Sequence, residues 1–420
     1  MKKASLLILL MMSLVLSAKE NQPAEGSFPD NPVQQEAQQN IPHTGSIETL
    51  PLDELAALAD AYAEIKKSYV KDLSDKEILD GAIRGMLSNL DPYSTYLTAE
   101  QLAELEESAT GDYAGIGIGA NHLPDGIEVT QVFEDSPAAK AGLKVGNLIT
   151  AINDEKTANM SNDRGSELMR GQPGSKVTVT FVDSSGNQKS VTITRQVIHV
   201  TSVRFELLEP NIGFTRIDEF QTRSAEDLSK AISKLELQNK APLQGLILDL
   251  RNNPGGILDG AIEVADLFLN SGVIVSTKSR LQQDNEVHYA TSGDILRNKP
   301  LVVLINNSSA SASEIVAGAL QDHKRAIIMG TQSFGKAMVQ TILPIHGGNA
   351  VKLTTSHYYT PNQRLIQNKG IAPDRVIEHK ITAPSGESAQ NWQDDQQVVA
   401  AVSQLKGQPI DKDALMEHSK

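Results

Sequence analysis

The sequence contains no cysteine among its 420 residues. Disulfides, thiol nucleophiles and thiolate metal sites are therefore excluded, although a chain of this length can build a stable core without disulfides. Basic residues are also in deficit, because 38 Lys and Arg stand against 52 Asp and Glu and give a formal net charge of -14. With no basic surface to neutralise phosphates, a nucleic-acid partner is not expected.

Histidines spaced as metal ligands are missing too, so neither a metal nor another cofactor is expected. The apolar segment at the N-terminus, residues 4–16, is too short for a comfortable membrane span. It follows the basic start Met1-Lys2-Lys3 and precedes Ser17-Ala18, which predicts a secretory signal peptide over residues 1–18. Lys19 stands where a lipoprotein would need cysteine. We expect an exported protein, periplasmic or otherwise extracytoplasmic, and membrane-associated if the signal segment is retained.

The composition changes twice before residue 110. Residues 19–48 are rich in Gln, Asn, Pro and Glu and poor in apolar side chains, which predicts a flexible linker. Residues 49–110 carry apolar side chains at helical spacing, so we expect an N-terminal helical region. It contains two amphipathic helices, the second capped by Ser74 and Asp75, and a third, acidic helix.

Residues 111–196 alternate apolar and polar side chains, which predicts a small domain of short strands. Its glycine-rich opening and the stretch from Ser136 to Ile149 resemble a PDZ domain, a β-sandwich or barrel with two helices. Glycines there would let bare backbone amides approach the terminal carboxylate of a peptide that adds a strand to the sheet edge. The resemblance implies a peptide-binding loop formed by Gly115, Ile116, Gly117 and Ile118.

Residues 197–382 alternate buried strands with helices, as expected of a mixed α/β core. One buried strand, residues 245–250, ends at the turn Pro254-Gly255-Gly256, whose adjacent glycines would allow a backbone amide to face a substrate. Residues 383–420 form a polar tail with one amphipathic helix. The predicted fold class is therefore multidomain α+β.

Two strand ends within the α/β core carry reactive side chains. The buried strand 300–306 leads into a serine-rich turn and a helix that starts at Ser311, and the buried strand 325–330 leads into Lys336. A serine hydroxyl is a weak nucleophile until a base takes its proton, and a desolvated, neutral lysine can be that base. Apolar neighbours such as Phe334 favour this desolvation. Free amides at the helix start would stabilise a developing oxyanion.

Other interpretations of these turns stay open. Ser311 and Glu314 match the S-x-x-E capping box, in which the serine would only cap a helix. The segment Gly330 to Lys336 has the spacing of a phosphate-binding loop, but Ala337 stands where Ser or Thr would hold magnesium, and a strand pattern follows. A Ser-His-Asp centre is disfavoured, because His323 lies about 18 Å along the predicted helix at 1.5 Å per residue. His357 could approach from a strand end, but no Gly-x-Ser-x-Gly elbow is present.

Several stretches between residues 50 and 406 resemble, in order, the carboxy-terminal-processing proteases, also called tail-specific proteases. Each match alone is weak, but their common order is highly specific. They include the PDZ segment and the motifs Leu90-Asp-Pro-Tyr-Ser-Thr-Tyr-Leu97, Leu250-Arg-Asn-Asn-Pro-Gly-Gly256, Ser309-Ala-Ser-Ala-Ser-Glu-Ile315 and Tyr358-Tyr-Thr-Pro361. The resemblance implies that residues 197–382 form a serine protease core similar to the crotonase fold.

The same resemblance implies the site residues. Ser311 would be the nucleophile, Lys336 the general base and Gln340 the residue that orients the lysine. The backbone amides of Gly256 and Ala312 would stabilise the oxyanion. The chain departs from the family pattern at Ala337, beside the proposed base, where glycine is usual, and at Asn362-Gln363.

These observations predict an exported serine endopeptidase that captures flexible or unfolded C-terminal tails through its PDZ domain, whose placement over the active site gates activity in such proteases. An adaptor protein and a homodimer formed through the N-terminal helices are further expected partners. The alternative is a catalytically silent PDZ scaffold or adaptor that binds tails without cutting them.

Overall fold

The computed structural model describes residues 51–378 and 392–410. The predicted signal peptide, the linker and parts of the predicted tail lie outside the described residues. The chain forms two compact units, one ending at Leu73 and one beginning at Ser74. In the first unit, helix α1 spans Leu52–Ser68, with acidic residues in its first turn and lysines in its last, as suits the helix dipole. Across the described ranges, no helix is both long and apolar enough to cross a membrane.

The second unit begins with helix α2, Asp75–Ser88, strand β1, Thr95–Leu97, and helix α3, Ala99–Thr110. Ser74 caps α2 as predicted, and Glu77 completes a capping box. The three helices expected before residue 110 are therefore confirmed.

The alternating segment forms a small sheet domain. Its elements are β2 (Asp112–Gly115), β3 (Ile118–Leu123), β4 (Gly126–Val132), α4 (Pro137–Lys140), β5 (Leu148–Ile152), β6 (Glu155–Lys156), α5 (Asn162–Met169), β7 (Lys176–Val182), β8 (Gln188–Thr194) and β9 (Gln196–His199). The main sheet has the order β3-β4-β5-β7-β8, with β6 on β5. Its inward side chains, such as Ile127, Val129 and Ile149, are fully buried in an apolar cluster of their own.

The small domain joins the remaining chain through β2 and β9, which pair antiparallel as a two-stranded ribbon. His199 at the end of β9 lies between two carboxylates. Its Nδ1 is 2.8 Å from Asp112 Oδ1 on β2, and its Nε2 is 2.8 Å from Asp227 Oδ2 in the next domain. This pair of contacts ties both connecting strands to the α/β core.

The α/β core follows. Its elements are β10 (Val203–Glu209), β11 (Ile212–Ile217), α6 (Ser224–Asn239), β12 (Gly245–Asp249), α7 (Leu258–Asp266), β13 (Val273–Ser279), β14 (Glu286–Tyr289), β15 (Leu301–Ile305), α8 (Ala312–Asp322), β16 (Ile327–Gly330), β17 (Met338–Pro344), β18 (Ala350–Tyr359), β19 (Arg375–Val376) and α9 (Gln396–Leu405).

The central sheet has the order β10-β11-β12-β15-β16-β19, and all of its neighbouring pairs except β10 with β11 are parallel. Leu246 and Leu248 of β12 pack on one face, whereas Ile247 packs on the other with Val398 of α9. Burial on both faces explains why these strands are uniformly apolar. The mixed α/β prediction is confirmed, and the similarity to the crotonase fold stays a prediction.

A second sheet lies in the same unit, with the order β1-β18-β13-β14 and with β17 paired to β18. Strand β18 is ten residues long and pairs with β17 along most of its length, with β1 near its start and with β13 near its end. The segment before β1 is thereby held across β18 from β17, the strand that carries Gln340.

A buried ionic network fixes the carboxyl end of β12. Arg251 is 7% exposed, and its guanidinium donates to both carboxylate oxygens of Asp249, at 2.9 and 2.7 Å. The same guanidinium donates to Gln397 at 2.8 Å and to Asp395 at 3.0 Å. The start of α9 is thus tied to the strand end that precedes the Pro254-Gly255-Gly256 turn.

Arg251→Met should destabilise the core, because it leaves the fully buried Asp249 with Arg216 as its remaining cationic partner. We expect the free energy of unfolding to fall by about 3 kcal/mol, measured from the urea transition of the core. The control Arg204→Met removes an exposed pair with Asp218 and should cost less than about 1 kcal/mol. Equal losses in the two variants would contradict this account.

Candidate active site

Three turns meet at one edge of the central sheet. Strands β12, β15 and β16 are parallel neighbours, so their carboxyl ends lie side by side. Strand β12 leads to Gly256, β15 to Ser311 and β16 to Lys336. This edge is the usual place for a ligand crevice in parallel α/β sheets.

Ser311 is the N-cap residue of α8 and has an unusual backbone. Its φ of 55° and ψ of -113° are far from the extended values of ordinary capping serines. Its amide donates to Glu314 Oε2 at 2.8 Å, so the predicted capping pair is in contact. A non-glycine residue in this region is strained, and such strain is concentrated at functional sites.

Glu314 does more than cap the helix. It is fully buried, and its Oε1 accepts hydrogen bonds from Ser333 Oγ at 2.6 Å and from the Gly335 amide at 2.7 Å. Its Oε2 accepts from the Lys336 amide at 2.9 Å as well as from Ser311. Burial raises the pKa of Glu314, while these hydrogen bonds act to lower it. One carboxylate therefore joins the serine turn to the lysine turn.

Tyr358 of β18 forms a second link between the two turns. The side chain is almost completely buried, and its hydroxyl lies 3.0 Å from the Ser311 carbonyl oxygen and also contacts the Lys336 carbonyl oxygen. Burial raises the pKa of Tyr358 well above its usual value, so the phenol stays protonated and can donate. The sequence pattern of β18 did not indicate this role.

Lys336 is half-buried, and burial lowers its pKa. The charge of Lys352 lowers it further, whereas Asp91 and Glu314 act in the opposite direction. This direction agrees with the predicted desolvation of Lys336, whereas Phe334 is 55% exposed and does not line the cavity that Lys336 lines.

The side chains of Lys336 and Gln340 make no hydrogen bond to Ser311. In the described parts of the chain, Lys336 Nζ makes no hydrogen bond or ion pair, and it lies 4.5 Å from the centroid of the Tyr93 ring. Gln340 Nε2 donates to Thr354 Oγ1 at 3.2 Å. The serine, the lysine and the glutamine nevertheless line one cavity of about 540 Å³.

The same cavity is lined by Gly256 and Ala312, the two residues predicted to offer oxyanion amides. The Gly255 amide already donates to Asn253 Oδ1 at 2.8 Å, which favours Gly256 over its neighbour for this role. Both glycines have positive φ, and a Cβ on Gly255 would lie 2.9 Å from Ser311 Cβ. A side chain at Gly255 would therefore displace the serine.

Most of the remaining cavity wall is apolar. Helix α3 contributes Leu102 and Leu105 to this wall, and α8 and β17 contribute Ile315, Val339 and Ile342. Such a wall suits a ligand with apolar side chains.

The predicted peptide-binding loop lies in the small domain. Ile116, Gly117 and Ile118 line a cavity of about 340 Å³ together with Met169 and Arg170. Gly117 has a φ of 83°, and a Cβ there would come within 2.3 Å of Ser136 Cβ, so this position needs glycine. Gly115 lies in β2, where it pairs with Gln196, and is not part of that lining.

The competing interpretations of the lysine turn can now be compared with the structure. Strand β17 follows Lys336, whereas a phosphate-binding loop would continue into a helix, so that interpretation is wrong. His323 follows α8, and its Nε2 is 2.7 Å from the Val273 carbonyl oxygen. Among the described residues, no group of His, Asp and Glu could hold a metal ion.

Known protein families match most of the chain. The model described as Peptidase family S41 matches residues 211–377, and a PDZ domain model matches residues 128–183. A model described as the activating protease CtpB N-terminal domain matches residues 13–101. The carboxy-terminal-processing protease of Bartonella bacilliformis is 43% identical over 333 residues, which cover 78% of this chain and 76% of that protein.

The chain belongs to the carboxy-terminal-processing protease family. The carboxyl-terminal-processing protease of Synechocystis sp. is 35% identical over 337 residues, covering 76% of this chain and 78% of that protein. The solved photosystem II D1 C-terminal processing protease aligns with 77% of this chain and 93% of its own at 27% identity, with a TM-score of 0.44. Membership makes the chain a serine-type peptidase with a PDZ domain.

Lys352→Gln should change the pH dependence of cleavage. If Lys336 is the general base, activity falls as the pH drops through its pKa, because lysine accepts a proton only when neutral. Without the neighbouring charge of Lys352 that pKa rises, and the acidic limb of kcat/KM should move to higher pH. At the pH of the wild-type limb we expect a loss of about two- to fivefold.

The control for this experiment is Lys278→Gln, which removes an exposed charge from the same sheet but away from the cavity lining. Its profile should match the wild type. If Lys352→Gln also leaves the limb unchanged, or moves it to lower pH, Lys352 does not influence the base.

Proposed function

We propose that the protein is a serine endopeptidase that cleaves exported proteins near their C-termini, with Ser311 as nucleophile and Lys336 as general base. The observation that supports this most is the cavity at the sheet edge. Ser311, Lys336 and Gln340 line it, and so do Gly256 and Ala312, whose backbone amides would stabilise the oxyanion. The strained backbone of Ser311 and the lowered pKa of Lys336 fit the two roles.

The chemistry follows from these groups. Neutral Lys336 takes the proton of Ser311 Oγ, which attacks the peptide carbonyl carbon, and the amides of Gly256 and Ala312 stabilise the oxyanion. The protonated lysine then gives its proton to the leaving amine, and the Ser311 acyl ester remains. Lys336 takes a proton from water, the hydroxide attacks the ester carbonyl carbon, and the lysine gives that proton to the departing Ser311 oxygen. Gln340 orients the lysine amine during both steps.

The PDZ domain captures the substrate tail in the groove lined by Ile116, Gly117 and Ile118. Arg170 in this groove is ion-paired with Glu107 of α3, the helix whose Leu102 lines the active-site cavity. A bound tail that disturbs Arg170 would therefore act on a wall of the active site, which is a physical basis for gating.

Cleavage of an unstructured protein with an apolar C-terminus tests the proposal. Wild type should cut it, whereas Ser311→Ala and Lys336→Ala should bind it and lose at least about 10³-fold in kcat. The same tail ended by an amide should bind about tenfold more weakly, because it lacks the carboxylate.

The outcomes separate the two functions. If all three proteins bind the tail and none cuts, the catalytically silent scaffold is the better description. If Lys336→Ala cuts normally, the assigned base is wrong. Equal binding of the amidated tail would remove the carboxylate from the account of tail capture.

Two partners complete the proposal: an adaptor that delivers substrates, and a second copy of the chain bound through the N-terminal helices. Helix α1 buries none of its residues, and its Leu55, Leu58 and Ile65 are each more than 40% exposed. Exposed apolar residues along one helix favour a protein partner.

Leu55→Glu with Leu58→Glu should disrupt this dimer. Sedimentation velocity at micromolar concentration should give a dimer for wild type and a monomer for the double variant. Asp53→Lys, on the same helix, is the control and should remain dimeric. A monomeric wild type, or a double variant that still dimerises, would argue against α1 as the dimer contact.

A further inference from the structure

The turn before β1 contacts the catalytic lysine but has no part in the mechanism above. The ring of Tyr93 lies under the Lys336 ammonium, with 4.5 Å between Nζ and the ring centroid. This is within the range of a cation–π interaction, which attracts the protonated amine and not the neutral one. We infer that Tyr93 is a positioning residue that holds protonated Lys336 on its ring, so that the base reaches Ser311 only after it leaves that ring.

The turn is rigid enough to fix the ring. Asp91 Oδ1 accepts from the amides of Tyr93 and Ser94, at 2.7 and 2.9 Å, and its Oδ2 accepts from Ser94 Oγ at 2.7 Å. Ser94 is buried, and its Oγ accepts in turn from the Thr354 amide at 3.1 Å. Tyr93 is thus anchored to β18 on the side of the sheet that faces the lysine.

The same turn also affects Gln340. Thr354 Oγ1 accepts from Gln340 Nε2 at 3.2 Å, and Ser94 Oγ lies 3.5 Å from that Thr354 oxygen. Gln340 is therefore bonded to the strand that anchors the turn and not to Lys336. Lys336 and its proposed orienting residue Gln340 are thus both held by the turn before β1 and the part of β18 that is bonded to it.

The groups around Lys336 determine how readily its amine is protonated, and only the protonated amine is attracted to the ring. Burial and Lys352 lower the pKa of Lys336, and Asp91 and Glu314 raise it. Tyr358 stays neutral, and Glu106 of α3 lines the same cavity. Because these effects on the pKa of Lys336 oppose one another, removal of the attraction to the Tyr93 ring should have a measurable effect on the protonation of the amine.

Tyr93→Leu tests the inference, because it keeps an apolar side chain but removes the ring. Below the acidic limb of kcat/KM, where the lysine is mostly protonated, this variant should be about three- to tenfold faster than wild type. Above the limb the two should agree within about twofold. Tyr93→Phe keeps the ring and should follow the wild-type profile throughout.

A fluorinated ring gives the sharpest control. Pentafluorophenylalanine at position 93 keeps the shape of phenylalanine but reverses the charge distribution of the ring face, so it should behave like Tyr93→Leu. A purely structural role of the ring would make it behave like Tyr93→Phe. Should Tyr93→Leu melt well below wild type, Tyr93→Met and the fluorinated protein replace it.

The inference rests on the proposed dyad, and the results separate the two. Cleavage by Lys336→Ala would contradict the dyad itself. If Lys336→Ala is inactive while Tyr93→Leu matches wild type at every pH, only the role of Tyr93 is wrong. A loss of activity by the same factor at all pH values would likewise overturn it, because the ring would then assist catalysis and not restrain the base.

Discussion

The carboxylate of Glu314 is the contact on which the geometry of the site depends. It is fully buried and accepts hydrogen bonds from both sides of the cavity, from the Ser311 amide and from Ser333, Gly335 and Lys336. A buried carboxylate is costly unless its oxygens are satisfied, so the serine turn and the lysine turn are stable only in this relative position. The strained φ of Ser311 persists because these contacts determine it.

The lysine is controlled by its surroundings more than by a partner. Burial and Lys352 favour the neutral amine, while Asp91, Glu314 and the Tyr93 ring favour the ammonium. An amine held between opposing effects can change its protonation when a nearby part of the cavity wall moves slightly. Helix α3 forms part of that wall and is joined to the PDZ domain by the ion pair of Arg170 with Glu107.

The parts of the site that follow from local pattern were predictable. Ser311 and Lys336 lie in the turns that follow two buried strands, and parallel strands place their ends together, so their proximity could be expected. The role of Glu314 could not, because the S-x-x-E motif already explains the residue within one helical turn. Its bonds to the lysine turn depend on the packing of β15 beside β16. Phe334 looked like a desolvating neighbour but is 55% exposed. Tyr93 is separated from Lys336 by more than half of the chain, and no periodicity connects them.

The ribbon of β2 and β9 has a consequence for how such a protein can change. The PDZ domain enters and leaves through two adjacent strands, and its apolar cluster is separate from those of the core. The point where the chain enters this domain and the point where it leaves are therefore adjacent. The small domain can then be exchanged as one unit, by recombination or by design, without changing the core that carries the candidate active site. His199 would mark the boundary of the exchanged unit, since it lies between Asp112 of the small domain and Asp227 of the α/β core.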